Sequence, residues 1–208
     1  EDPETGEITA ADDPELKALY DSVLEASAAM SAGLTQWSDD WYAGQAQGTF
    51  ATMLCPAWML GVVEGAASEV EGWDFADVFP GGGANWGGSY LVVPTQGANQ
   101  RAAKHVAAWL TTPEQQVKAF QNASTYPSQI EAIEDPVVIS QTNEFFNNAP
   151  TGEIFANRAE AVTVTPYKGP NFFAVDTAMK NALTRVEDEI QTPEESWNQF
   201  VNDVNALG

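Results

Sequence analysis

Two short motifs carry the chemistry this chain could perform. Asn85 and Trp86 stand between glycine clusters in PGGGANWGGSYLVVP, residues 80–94, and Trp58 closes the run Met53-Leu54-Cys55-Pro56-Ala57-Trp58. Glycines let the backbone turn sharply and approach a ligand closely. An indole face with a hydrogen-bonding amide beside it suits a sugar ring: apolar C–H faces meet the aromatic and hydroxyls meet the polar group. The alternative is a structural one, in which each tryptophan plugs a core. Two other readings of the glycines fail on context. A phosphate loop needs a Lys-Ser/Thr pair opening a helix, and a nucleophile elbow needs a serine between strand and helix. Here Gly87-Gly88-Ser89 leads into the apolar run Tyr90-Leu91-Val92-Val93.

Further aromatic and acidic residues widen the candidate set. Trp37 and Trp41 flank Ser38-Asp39-Asp40 in a polar stretch, and Tyr126 stands in the turn Thr125-Tyr126-Pro127-Ser128. Asp39 and Asp40 as a catalytic pair would suit a glycoside hydrolase with a Trp-lined cleft. Neighbouring residues on a helix point about 100° apart, which flanks a scissile bond poorly. The preferred reading makes them stabilising charges at the positive end of a short helix capped by Ser38.

Composition narrows the classes. The 208 residues carry a net charge of −22, with Lys and Arg together numbering 8. No positive field exists to displace counterions from nucleic acid or to seek an anionic membrane surface. Cys55 is the single cysteine and His105 the single histidine. That excludes an intrachain disulfide and argues against cysteine-cluster or histidine-built metal sites. Cys55, set among apolar residues, reads as a small buried hydrophobe. No metal and no cofactor is called for. No apolar run is long enough to span a bilayer and no signal peptide is visible. The abrupt opening Glu1-Asp2-Pro3 leads us to expect that an N-terminal part precedes this chain.

The elements that position these residues are mostly helices with a few short strands. Asp13-Pro14 predicts an N-capped helix to about Met30, with Leu16, Leu19, Tyr20, Val23 and Leu24 inward. Strands are expected over Gly48–Leu54, from Glu71 to Phe79 and over Ser89–Val93, with a helix opening at Pro56 so that Trp58 sits at a strand-to-helix corner. Asn99 should cap a helix to about Leu110, and Thr112-Pro113-Glu114-Gln115 a second to about Gln121. A helical turn is expected over Ile130–Ile133 and a helix over Val137–Asn147. A long helix begins near Phe172, with Val175, Met179, Ala182, Val186 and Ile190 on one face. Thr192-Pro193-Glu194-Glu195 is a capping box opening the last helix, with Trp197, Phe200, Val201 and Val204 inward.

In this order the chain resembles the C-terminal half of a family 1 extracellular solute-binding protein of a sugar ABC transporter. Four motifs carry the resemblance: Gly48 to Trp58; the glycine-rich loop and strand at 81–94; Arg101 to Gln116 (RAAKHVAAWLTTPEQQ); and Gly169-Pro170-Asn171-Phe172-Phe173-Ala174-Val175. Cys55-Pro56-Ala57-Trp58 together with Asn85-Trp86-Gly87-Gly88 looks most like the oligosaccharide binders of actinobacteria, of the cellobiose and xylo-oligosaccharide type. The resemblance implies an α/β, periplasmic-binding-protein-like fold of two lobes closing on a ligand in an interlobe cleft. On that template residues 1–80 form a C-lobe segment, 81–135 a hinge strand and N-lobe segment, and 136–208 a second C-lobe segment. It implies a non-enzymatic substrate-binding component of an ABC importer, extracytoplasmic and lipoprotein-anchored at the cell surface by a segment outside this chain. Its partners would be an oligosaccharide, the permease subunits and the N-terminal half of the same protein. The implied ligand-binding residues are Trp58, Asn85, Trp86, Gly87, Tyr126, Phe172 and Phe173, with Trp37 and Trp41 added from their setting.

Overall fold

The computed structural model describes residues 1–163 and 167–207. The backbone is helical, and among the described residues the only β pairing is an isolated antiparallel bridge between Asn143 and Ala149. The chain divides into two compact units. One comprises residues 1–40 with 167–207, and the other residues 41–163.

The first unit is a three-helix assembly of α1 (Pro14–Met30), α9 (Phe172–Glu187) and α10 (Pro193–Asn205), preceded by a 3-10 turn at Ala10–Asp12. Helix α1 starts where Asp13 and Pro14 predict. The Asp13 carboxylate accepts the Glu15 and Leu16 N–H groups, and the proline occupies a position whose missing N–H costs nothing. Tyr20, Leu24, Ala178, Ala182, Phe200 and Val204 form the core. Small residues let α9 and α10 meet closely: Ser196 is fully buried, and its hydroxyl donates to the Ala182 carbonyl at 2.7 Å. Arg185 completes the joint, donating to both the Ser196 hydroxyl and its carbonyl at 3.1 Å. The Thr192 capping box is present in full. Three expected inward residues are not inward. Leu19 and Val23 lie on the outer side of α1, and Ile190 lies past the end of α9, 67% exposed, after Glu189 breaks the helix at φ 58°.

The second unit carries α2 (Asp39–Gln47, whose first turn lies at the boundary), α3 (Met59–Ala66), α4 (Gln100–Leu110), α5 (Pro113–Ala123), the short α6 (Ile130–Ile133) and α7 (Pro136–Ile139), and α8 (Thr151–Glu160). The expected strands are not paired: Gly48 is a turn at φ 67°, and residues 70–76 and 83–94 run without ladder partners among the described residues. β propensity marks a stretch willing to pair, and pairing needs a neighbour. The helix expected over Val137–Asn147 stops after Ile139. Asn147 and Asn148 both adopt positive φ, and the turn they make closes the Asn143–Ala149 bridge. Neither Asn99 nor Thr112 caps its helix through its side chain; the Thr112 hydroxyl donates back to the Trp109 carbonyl instead.

Gln116 ties the end of this region together. Its side-chain oxygen accepts the Ser128 and Gln129 N–H groups, while its nitrogen donates to the Thr111 carbonyl. Helix α8, absent from the sequence-based expectations, packs on α7 through Gly152, where a Cβ would overlap the Val138 carbonyl oxygen.

Two outcomes follow. Gly152→Ala should destabilise the second unit by about 1–3 kcal/mol, the cost of overpacking a close backbone contact, read as a lower denaturant midpoint. In α10, the Thr192 N–H and hydroxyl both donate to Glu195 and hold its carboxyl below the ordinary glutamate value of 4.5. A lowered folded pKa contributes stability that is present above the unfolded value and lost as pH falls through the folded one. Protection of the amides in the first turn of α10, taken relative to their intrinsic exchange rates, should therefore fall as pH drops below 4.5, and Thr192→Ala, costing about 1 kcal/mol, should flatten that dependence.

Candidate functional site

Trp58 occupies the position just before α3, with φ −68° and ψ −21°, while Met59 behind it is fully buried. The buried methionine anchors the corner and leaves the indole outside it. The Pro56 carbonyl accepts the Met59 N–H at 2.9 Å, so the chain is already turning into the helix at Pro56.

The glycine-rich segment brings its own indole to Trp58. The rings of Trp58 and Trp86 meet edge to face, centroids 5.6 Å apart and planes at 82°. Trp58 Nε1–H donates to the Trp86 carbonyl at 3.1 Å. That bond uses the polar edge of Trp58 and fixes its ring. Asn85 Nδ2 donates to the Gly87 carbonyl at 3.2 Å and closes a small turn around Trp86. Gly87 and Gly88 sit at φ 88° and 111°, a region that a Cβ strongly disfavours. At Gly87 the requirement is conformational, since an added Cβ would lie 3.6 Å from Trp58 Nε1, an ordinary contact. Trp58 is 43% exposed and Trp86 44%. The result is a pair of locked, half-exposed indoles edged by an amide and backbone carbonyls. Such a surface accepts a molecule with an apolar face and hydroxyl groups around it.

The remaining predicted residues are placed as follows. In the second unit, Trp41 is buried and stacks edge-on with Tyr42 at 5.0 Å. Tyr126 belongs to an aromatic row, 6.4 Å from Phe120 and 5.4 Å from Phe155, which continues through Phe75 to Phe146. Its hydroxyl is enclosed without a hydrogen-bond partner among the described residues, and burial pushes its pKa up to about 12. In the first unit, Phe172 and Phe173 open α9 with ring centroids 5.3 Å apart; Lys168 lies 5.1 Å over the Phe172 ring, and Phe173 is exposed. Trp37, also in this unit, is exposed at a positive φ of 72°. Cys55 is half-buried, and desolvation raises its thiol to about 12, so it is held as a neutral thiol. No group of three or more His, Cys, Asp or Glu among the described residues could hold a metal ion, and no helix there is long and apolar enough to cross a membrane.

Sequence reasoning missed Asp77, Asn157 and Arg158, which contact one another beside the glycine loop. No motif marks them. The one signal available was the scarcity of cations, which makes each arginine worth tracing.

Comparison with known proteins defines the class. A family model described as bacterial extracellular solute-binding protein matches residues 3–147. The crystal structure of an extracellular solute-binding protein of family 1 superimposes with a TM-score of 0.90 at 42% sequence identity, covering 97% of this chain. This chain belongs to the bacterial extracellular solute-binding protein family. It has the family's α/β, periplasmic-binding-protein-like fold, of which these residues form a mostly helical portion. The chain spans 52% of the matched protein's length. No curated protein matches.

Tyr126→Phe tests the aromatic row. Removing a hydroxyl that is buried without a partner should leave stability unchanged or raise it by about 1 kcal/mol, read by denaturant unfolding. A loss of stability would show that the hydroxyl has a partner in solution.

Proposed function

We propose that this chain is part of the substrate-binding component of an ABC importer that captures an oligosaccharide of the cellobiose or xylo-oligosaccharide kind outside the cytoplasm, without catalysis. The observation that carries the reading is the locked Trp58–Trp86 pair. Pyranose rings stack on indole faces, and the Asn85 amide and neighbouring backbone groups bind hydroxyls. Gly87 gives the backbone its approach. Tyr126, Trp41, Phe172, Phe173 and Trp37 are further candidate contacts. Closure of a two-lobed protein around the sugar would then present a surface to the permease, a hinge movement usual for binders of this kind. Membrane anchoring as a lipoprotein belongs to the same proposal.

The N-terminal half of a family protein, in the same or a separate chain, is the proposed structural partner. Two observations support it. Helix α4 buries none of its residues, leaving Val106, Trp109 and Leu110 exposed. Tyr90, Leu91 and Val92 are exposed as well, with Tyr90 94% accessible. Apolar surface of this extent marks an interface.

A glycoside hydrolase is the alternative reading; it would need a pair of carboxyls beside the aromatic surface, and neither residues 53–58 nor residues 80–94 carry one.

Tryptophan fluorescence during titration with cellobiose, xylobiose and maltose tests the reading. One β-linked sugar should give a saturable change, and Trp58→Ala or Trp86→Ala should each weaken its binding by about 1–3 kcal/mol. Unchanged affinity in both variants overturns the site. Release of monosaccharide during incubation overturns the non-enzymatic assignment.

A further inference from the structure

The glycine loop is docked onto the end of α8 by one arginine. Arg158 Nη1 donates to the Gly82 carbonyl at 2.7 Å. Its Nε lies 2.8 Å from Asp77 Oδ1, a charge contact in which the N–H is not aimed at the carboxylate. Asn157 Nδ2 donates to the other oxygen, Asp77 Oδ2, at 3.0 Å. Both ends of the segment 77–82 are thus held from adjacent residues of α8. Backbone shape completes the docking. The Gly82 N–H donates to the Phe79 carbonyl at 3.0 Å, and Gly82 takes φ 103°. A Cβ on Gly83 would overlap the Arg158 carbonyl oxygen and lie 3.3 Å from a Val162 methyl. Gly83 is therefore needed for close approach. Two residues further on, the chain reaches Asn85 and Trp86.

We propose that Arg158 is the positioning residue of the Trp58–Trp86 pair. By bridging Asp77 and the Gly82 carbonyl it fixes the base of the glycine loop, and with it the place from which Trp86 accepts the Trp58 hydrogen bond. The loop has no ladder partner among the described residues, so its position depends on such side-chain anchors. A partly exposed ion pair alone contributes little. Here it acts with two hydrogen bonds and a steric fit on one short segment, and neither contact requires the sugar. The solute-binding consequence rests on the function proposed above.

The test uses the 208-residue chain together with the companion half proposed above and amide hydrogen exchange read residue by residue by NMR, with near-ultraviolet circular dichroism as a signature of the coupled indoles. Arg158→Met should speed exchange of the Gly82 amide, which donates to the Phe79 carbonyl, by about tenfold or more through local opening, leave α9 and α10 unchanged, and move the indole signal toward that of Trp86→Phe. Arg158→Lys should restore part of the protection. Gly83→Ala should reproduce the loosening from the other side of the contact. Should Arg158→Met unfold, Asp77→Asn carries the test, since it removes the charge and keeps the Arg158–Gly82 bond. Unchanged exchange and an unchanged indole signal in Arg158→Met and Gly83→Ala would overturn the proposal. Cellobiose titration separates it from the reading beneath it. Weaker cellobiose binding by about tenfold in Arg158→Met, through lost preorganisation, supports both. A loosened loop with undiminished cellobiose affinity overturns the role of the Trp58–Trp86 pair in sugar binding, while the exchange data still decide the role of Arg158.

Discussion

A single hydrogen bond, from the Trp58 indole N–H to the Trp86 carbonyl, joins two motifs that lie 28 residues apart. It is the interaction on which the candidate site depends. Trp58 is placed by a helix start and a buried neighbour, both rigid. Trp86 is carried on a segment whose backbone has no ladder partner among the described residues. An indole N–H can only donate, so the bond fixes which backbone atom must come to Trp58. Once it forms, the N–H edge of Trp58 is satisfied while both rings remain partly exposed.

The strong negative charge shapes how the rest of the chain is held. With so few cations, the ion pairs among the described residues are sparse. Those of Lys17, Lys118 and Lys180 join residues four apart on one helix, where they support that helix alone. Among the described residues, the Arg158–Asp77 contact alone joins distant segments by an ion pair. Tertiary cohesion thus falls to apolar burial, to caps and to close contacts through small residues. The Ser196–Ala182 joint in the first unit and Gly152 on α7 in the second are the clearest cases. Carboxylates are used where a helix start exposes N–H groups, as at Asp13, Asp135 and Glu195. There negative charge stabilises the fold instead of opposing it.

The parts legible in the sequence are those decided locally. Asp13-Pro14 and Thr192-Pro193 fix helix starts because a carboxylate or hydroxyl reaches the N–H two or three residues on, whatever lies around them. The long faces of α9 and α10 were legible by periodicity. Thr112-Pro113 shows the limit of the same reasoning: the helix starts on cue, but the hydroxyl turns back to the Trp109 carbonyl, which the preceding helix supplies. Helix α8 was not legible. It opens on Pro150 at the cap and Gly152 in the first turn, which read as a loop, and Gly152 is there because α7 passes too close for a side chain. The indole pair was half legible. Residue types pointed to both tryptophans, while their mutual contact depends on the tertiary path of the glycine loop.

The unpaired stretches carry the same lesson into function. Residues 89–93 have strand composition, and α4 is apolar on one side, yet Tyr90, Val92, Val106 and Trp109 are exposed. Composition and periodicity report what a segment is suited to bury, and burial itself needs a second surface. Exposure of residues with that pattern is therefore information about a partner. In the same unit, the aromatic row from Phe120 through Tyr126, Phe155 and Phe75 to Phe146 is completed internally. Packing around Arg158 and α8 is likewise supplied by this chain, so the glycine loop is docked without help from outside. The support of Trp58 and Trp86 is intrinsic, while α4 and residues 90–92 leave apolar side chains exposed. That exposed pattern is what the companion half proposed above would cover, whereas the docking of the glycine loop does not wait on it.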